Sequence, residues 1–147
     1  MSSFVLDNSV VMRWLFKDGS QYDRDYASSI LDAITTRAGV ISVPALWPYE
    51  VANAAATGIR KNWVSEDVVS EFLAILAIAP ISLAQTGFDV ITGTVVYLAG
   101  SHRLSAYNAA YLELALRLQV PLATLDKDLR RALAAEGVTL FEGDRAP

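Results

Sequence analysis

Phe4-Val5-Leu6-Asp7-Asn8-Ser9-Val10-Val11 decides how the rest of the chain is read. Three apolar residues make a short strand pattern that stops on an aspartate. Asp7-Asn8-Ser9 then supplies residues suited to cap a helix that runs on to Phe16. A strand handing over directly to a helix opens a βα unit, and the same punctuation recurs along the chain. Residues 22–36 read as a second helix, Gly39 punctuates it, and Val40-Ile41-Ser42-Val43 reads as a second strand. Pro44 suits the first turn of the next helix, which continues through Ile59; Pro48 then makes that first turn irregular. Ser65-Glu66-Asp67 caps a helix to Ile78, and Pro80-Ile81-Ser82-Leu83 is a third strand. Residues 86–99 form another helix, weakened by Gly93. Ser105 opens a helix ending near Gln119. Pro121-Leu122-Ala123-Thr124-Leu125 is a fourth strand, residues 126–135 a short helix, and Val138-Thr139-Leu140-Phe141 a fifth strand. Strands separated by helices predict an α/β fold with a mostly parallel five-stranded sheet covered by helices on both faces. One domain spans 1–142, and 143–147 form a frayed tail.

Composition supports a packed domain. The chain has 147 residues, 53% hydrophobic and 19% charged, which excludes a disordered or fibrous protein. Cysteine is absent, so disulfides, thiolate metal sites and cysteine nucleophiles are excluded. The opening apolar run is interrupted by Asp7 and Arg13, unlike a secretory leader. The most apolar run, residues 72–84, is broken by Pro80 and falls short of the roughly 20 residues of a spanning helix. A cytoplasmic protein with no membrane segment is expected. The net charge of −4 and pI of 4.9 oppose a protein that holds nucleic acid mainly by neutralising phosphates. Any such binding has to lean on metal ions and a local basic patch.

Ligands of open parallel sheets bind at the carboxyl ends of the strands. Asp7 follows the first strand and Asp126 the fourth, so both project into that crevice, where carboxylates suit Mg²⁺ or Mn²⁺. Each also precedes a helix, where aspartate is a preferred cap, so either residue alone reads more readily as a cap. Glu50 stands inside an apolar, alanine-rich helical segment, on one face with Asn53 and Thr57. A partly exposed helical glutamate and a metal-facing carboxylate account for it equally. Asn108 lies in the first helical turn after Ser105 and on position alone is a surface polar residue. His102 is the only histidine, in a polar loop beside no nucleophile. No Gly-x-Ser-x-Gly elbow, phosphate loop or dinucleotide fingerprint occurs. Arg13, Lys17, Arg60-Lys61, Arg103 and Lys127-Arg130-Arg131 can line a phosphate path, although solvated helix faces are the default. Trp14, Trp47 and Trp63, at helical positions, are expected in the core rather than stacking on bases.

Taken in order, these segments become specific. Val5-Leu6-Asp7-Asn8-Ser9-Val10-Val11 and Pro44-Ala45-Leu46-Trp47-Pro48-Tyr49-Glu50-Val51-Ala52-Asn53-Ala54 resemble the start of a PIN-domain ribonuclease. The second half, Leu104-Ser105-Ala106-Tyr107-Asn108-Ala109-Ala110-Tyr111-Leu112-Glu113-Leu114-Ala115 followed by Pro121-Leu122-Ala123-Thr124-Leu125-Asp126-Lys127-Asp128-Leu129, resembles a VapC-type toxin of a toxin–antitoxin pair. The resemblance covers essentially the whole chain. It implies an acidic pocket for Mg²⁺ or Mn²⁺ and endonucleolytic cleavage of RNA, usually a tRNA or another structured RNA. It also implies homodimers inhibited by a small antitoxin whose C-terminal segment lies over the pocket. Carried over by position, the catalytic set is Asp7, Glu50, Asn108 and Asp126, with Asp7, Asn108 and Asp126 on the metal. Asn53 and Thr124 match accompanying polar residues, Asp128 an outer acid, and Arg13, Lys17, Arg103 and Lys127 are the RNA-binding candidates.

The departure is Asn108, where the family has aspartate. The amide preserves size and deletes a charge, so metal affinity should drop. A rival of another class follows: a catalytically impaired PIN-fold binding module that still binds antitoxin. Phosphoryl transfer through an aspartate nucleophile fits poorly. Such phosphatases place a second aspartate where this chain has Ser9, and receiver domains need an aspartate after the third strand, where Leu83-Ala84-Gln85 stands.

Overall fold

A computed structural model describes residues 2–143. Its sheet has four strands, β1 (Ser2–Leu6), β2 (Ala38–Pro44), β3 (Ile81–Ala84) and β4 (Leu122–Ala123), in the order β3-β2-β1-β4. Every pairing is parallel. β1 lies in the middle, and Phe4, Val5 and Leu6 are all buried. That explains its unbroken apolar sequence, because a parallel strand covered on both faces has no solvent side to alternate with.

The helices are α1 (Asn8–Phe16), α2 (Gln21–Arg37), α3 (Trp47–Arg60), α4 (Glu66–Ile78), α5 (Phe88–Val90), α6 (Val96–His102), α7 (Ala106–Leu118) and α8 (Lys127–Glu136). In α7, Ala109, Tyr111, Leu112, Leu114 and Ala115 lie in the core. Ser65 and Ser105 cap α4 and α7 as their sequences suggest, accepting from the amides of Val68 and Asn108.

Four expectations need correction. The sheet has four strands, not five. β4 is only two residues long, because Pro121 lacks an N–H and the chain turns away at Thr124. The 138–141 segment therefore finds little ladder to join, and Leu140 makes a single isolated parallel bridge to Leu122. It is nonetheless anchored, since Phe141 stacks on Phe4 with ring centroids 4.1 Å apart. Pro44 ends β2 instead of opening a helix. Pro48 takes the first-turn position of α3, where a missing N–H costs nothing. Finally, the 86–99 helix is interrupted by a π-helical turn, Ile91–Val95, with Gly93 at its centre. Of the expected tail, Gly143 adopts φ +76° against the Ser29 backbone, and 144–147 lie outside the described residues. Among the described residues no helix is long and apolar enough to cross a membrane.

The strand order fixes where a site can form. From β1 the chain crosses to β2 on one side, while β4 returns to the other, so the order reverses between β1 and β4. A crevice opens at the carboxyl ends of such strands. Leu6 is paired with Ala123, and the Asp7 amide donates to the Ala123 carbonyl at 3.0 Å.

Candidate functional site

That crevice is an open cleft of about 430 Å³ whose lining includes Asp7, Asn8, Glu50, Asn108 and Asp126. The four residues of the expected catalytic set thus come together from four places in the chain. Asp7 is brought by the end of β1, Glu50 by the first turn of α3, Asn108 by the first turn of α7, and Asp126 by the start of α8.

Asp7 and Asp126 occupy equivalent corners but are used differently. Asp126 is a true cap: its Oδ1 accepts from the Leu129 amide at 2.8 Å. Asp7 stands at the cap position of α1 and makes no side-chain cap bond. Its Oδ2 accepts instead from Ser9 Oγ at 2.6 Å and Thr124 Oγ1 at 2.8 Å. The ordinary capping explanation therefore holds for Asp126 and fails for Asp7. Thr124 is completely buried and also accepts from the Asp126 amide at 3.0 Å, so one hydroxyl ties the two corners together.

Burial makes ionised Asp7 expensive and pushes its pKa up. The hydrogen bonds from Ser9 and Thr124 oppose that shift, and the nearby Asp126 charge adds to it. Glu50 is half-buried. Desolvation raises its pKa, the Tyr111 hydroxyl, donating to Oε1 at 2.5 Å, lowers it, and the Asp7 charge raises it. Tyr111 is itself buried at 0% exposure, and burial raises its phenol pKa, which keeps it a donor.

Among the described residues no basic side chain is paired with these carboxylates, and Arg13 on the cleft wall is paired with Asp18. Asn8 Oδ1 is buried at the cleft with no donor among the protein atoms. An all-oxygen donor set of this kind fits a hard divalent ion. It is a sparse set, however. Among the described residues no three His, Cys, Asp or Glu side chains are grouped to hold a metal ion, and Asn108 leaves only two carboxylates in the expected metal-binding trio.

The remaining candidates divide. Thr124 is buried and bonds Asp7 but does not itself line the cleft. Asn53 is exposed and absent from the cleft lining, so the shared face expected with Glu50 does not reach the cleft. Asp128 is exposed and pairs with Arg131 at 2.9 Å. Lys17 and Lys127 are exposed, and Arg103 lines a separate cavity with Ser101, His102 and Arg131. His102, expected in a polar loop, ends α6, and its Nε2 lies 2.7 Å from Glu136 Oε1. Trp47 is in the core and Trp14 donates to the Ala27 carbonyl, but Trp63 is 63% exposed, against expectation.

Ser9, Asn8 and Tyr111 were missed by sequence reasoning. Tyr111 had a signal, because it lies three residues from Asn108 and so on nearly the same helical face. Its contact with Glu50, 61 positions away, had none.

No protein-family model matches the sequence, and no curated protein matches it. The fold does match solved structures. A structure of PAE2754 from Pyrobaculum aerophilum superposes with a TM-score of 0.59 at 16% identity, covering 89% of this chain and 86% of that one. A structure of VapBC2 from Rickettsia felis, bound to a DNA fragment from its promoter, matches at 0.60 and 11% identity, covering 95% and 97%. At such identities the likeness is one of architecture. The chain shares the fold of these two proteins.

Proposed function

We propose that the chain is a metal-dependent endoribonuclease of the toxin kind, working in the cytoplasm and held inactive by a cognate antitoxin. The observation that carries this reading is the convergence of Asp7, Glu50, Asn108 and Asp126 on one cleft with no basic partner among them. The VapC-like fold supports it, since one neighbour is a toxin–antitoxin assembly.

Asp7, Asp126 and the Asn108 amide oxygen would hold Mg²⁺ or Mn²⁺. When bound, such an ion supplies Lewis acidity and lowers the pKa of water. The acidic charge of Asp7, Glu50 and Asp126 would then be partly cancelled at the cleft itself, where the scissile phosphate has to sit. Hydrolysis places a water oxygen on phosphorus and a proton on the departing ribose oxygen. Glu50 orients the attacking water and takes its proton. Tyr111 holds Glu50 Oε1, so that the carboxylate keeps one orientation. Ser9 and Thr124 fix Asp7 in the same way. The substrate is RNA, a tRNA or another structured RNA, and the working form is a homodimer.

Asn108 favours a second reading, a PIN-fold module that binds antitoxin and cuts poorly. One comparison separates the two: cleavage of total cellular RNA with added Mg²⁺ or Mn²⁺ by this chain and by Asn108→Asp, with Asp7→Asn as the blank. The nuclease reading expects Asn108→Asp to cut at least about tenfold faster, in line with the cost of disturbing a metal site. If Asn108→Asp binds metal tightly and still leaves RNA intact, that reading fails.

A further inference from the structure

Beside the carboxylate cleft lies a second cavity of about 420 Å³, lined by Met12, Arg13, Phe16, Asp18 and Trp63. Met12 and Arg13 line both, so the two spaces share a wall. The aromatic part is built, not incidental. Gly58 leaves room for the Phe16 ring, since a Cβ there would fall 2.6 Å from Phe16 Cε1. Phe16 in turn meets Trp63 edge to face, with centroids 6.1 Å apart and planes at 89°. Lys61 Nζ lies 4.8 Å from the Trp63 ring centre. An indole held on two sides and still 63% exposed is unusual, because burying it would be favourable.

Basic residues close both helices that bear the aromatic pair: Arg13 lies in the last turn of α1 with Lys17 at its C-cap, and Arg60 in the last turn of α3 with Lys61 at its C-cap. Of the four, Arg13 lines the cavity and Lys61 lies over the Trp63 ring. Asp18 is the one acid lining the cavity, and it is paired with Arg13. Glu66 and Asp67, in the first turn of α4, do not line it. Cations at helix C-termini also complement the helix dipoles, which explains their position but not the exposed indole between them.

We propose that this cavity is a subsite for an unpaired nucleobase of the RNA strand entering the cleft. The base stacks on Trp63 and its flanking phosphates face Lys61, Lys17 and Arg60. An aromatic face among cations is how single strands are held without sequence reading. An apolar peptide would use the indole and leave the cations idle, which is why RNA is the occupant. The inference rests on the ribonuclease reading for its substrate, although it concerns binding alone.

The test is therefore a binding measurement with cleavage switched off. A labelled single-stranded RNA hexamer is titrated in EDTA against the parent chain, Trp63→Ala, Trp63→Phe and Lys61→Gln, each with its melting curve as a check on folding. Trp63→Ala should weaken binding about tenfold, the usual effect of losing one stacked base. Trp63→Phe should stay within roughly threefold of the parent, since a ring remains to stack on. A hexamer with abasic sites should erase the difference between the parent and Trp63→Ala. Lys61→Gln should bind less tightly and flatten the salt dependence. A folded Trp63→Ala that binds RNA like the parent overturns the proposal and leaves the pocket to a protein partner, as does a parent that does not bind. The two readings fail separately. Trp63-dependent binding without metal-stimulated cleavage sinks only the nuclease, whereas cleavage with Trp63-independent binding sinks only this pocket.

Discussion

The corners after β1 and β4 are built from the same plan, a strand, an aspartate and a helix, yet they solve different problems. At the β4 corner Asp126 is half-buried and spends one carboxylate oxygen on the Leu129 amide, which stabilises α8. At the β1 corner Asp7 is 3% exposed, caps nothing, and is held by Ser9 and Thr124. The first aspartate can be justified by local structure alone. The second is a buried carboxyl group held by two hydroxyls with no cation paired to it among the described residues, an arrangement that natural proteins retain mainly at functional sites. Burial of this kind locates the site more sharply than either aspartate's position in the sequence does.

The largest expected difference between the corners follows directly. Asp7→Asn should abolish metal-dependent cleavage by either this chain or Asn108→Asp, while raising the melting temperature of the metal-free protein at neutral pH by several degrees. The sign comes from linkage. The folded-state pKa values of Asp7 and Glu50 are raised, so the folded chain holds protons that the unfolded chain has released. Their contribution to stability is present at low pH and is lost as pH rises through the raised values. Melting in EDTA from pH 4 to pH 8 should show that decline in the parent and a flatter profile in Asp7→Asn. A variant destabilised at neutral pH would remove the argument for a costly buried charge.

Asp126 should behave in the opposite sense. Asp126→Asn keeps a good cap and loses a ligand, so activity falls with little change in stability. Asp126→Ala should lose activity and also about 1 kcal/mol of stability. Chemical denaturation of the pair separates the two jobs of one side chain.

A smaller effect is expected at Tyr111, which serves Glu50 and not the metal. Tyr111→Phe removes one hydroxyl from a buried ring, and kcat should fall by roughly tenfold with KM little changed, because orientation and not binding is lost. Smaller still is Thr124→Ser, which keeps the hydroxyl that links the two corners and should cut at close to the parent rate. Thr124→Val should be slower than Thr124→Ser, and equal rates would show that the link is idle.

Much of this was legible before the structure. The alternation of strand and helix patterns gave the parallel α/β architecture, and the resemblance to a PIN-domain ribonuclease implied Asp7, Glu50, Asn108 and Asp126 as a set, residues that do share a cleft. What escaped was set by tertiary context. Two residues of β4 look the same in sequence as five, because nothing local announces that Thr124 turns inward to bond Asp7. Pro44 and Pro48 are both plausible first-turn residues, and only the pairing of β2 with β3 decides that Pro44 ends a strand. Asn53 shares helical spacing with Glu50, yet their faces diverge enough that one lines the cleft and the other meets solvent. Trp63 breaks the rule that tryptophans on a helical pattern go inside, since it falls in the turn after α3 instead of within a helix.

In the proposed function Asp7, Asp126 and Asn108 hold a divalent metal ion at a site weakened by one amide. Calorimetric titration of Mn²⁺ into this chain, Asn108→Asp and Asp7→Asn tests it without any substrate. Binding should be weak in the parent, at least about tenfold tighter in Asn108→Asp, and absent in Asp7→Asn. Equal Mn²⁺ affinity in all three proteins would contradict it.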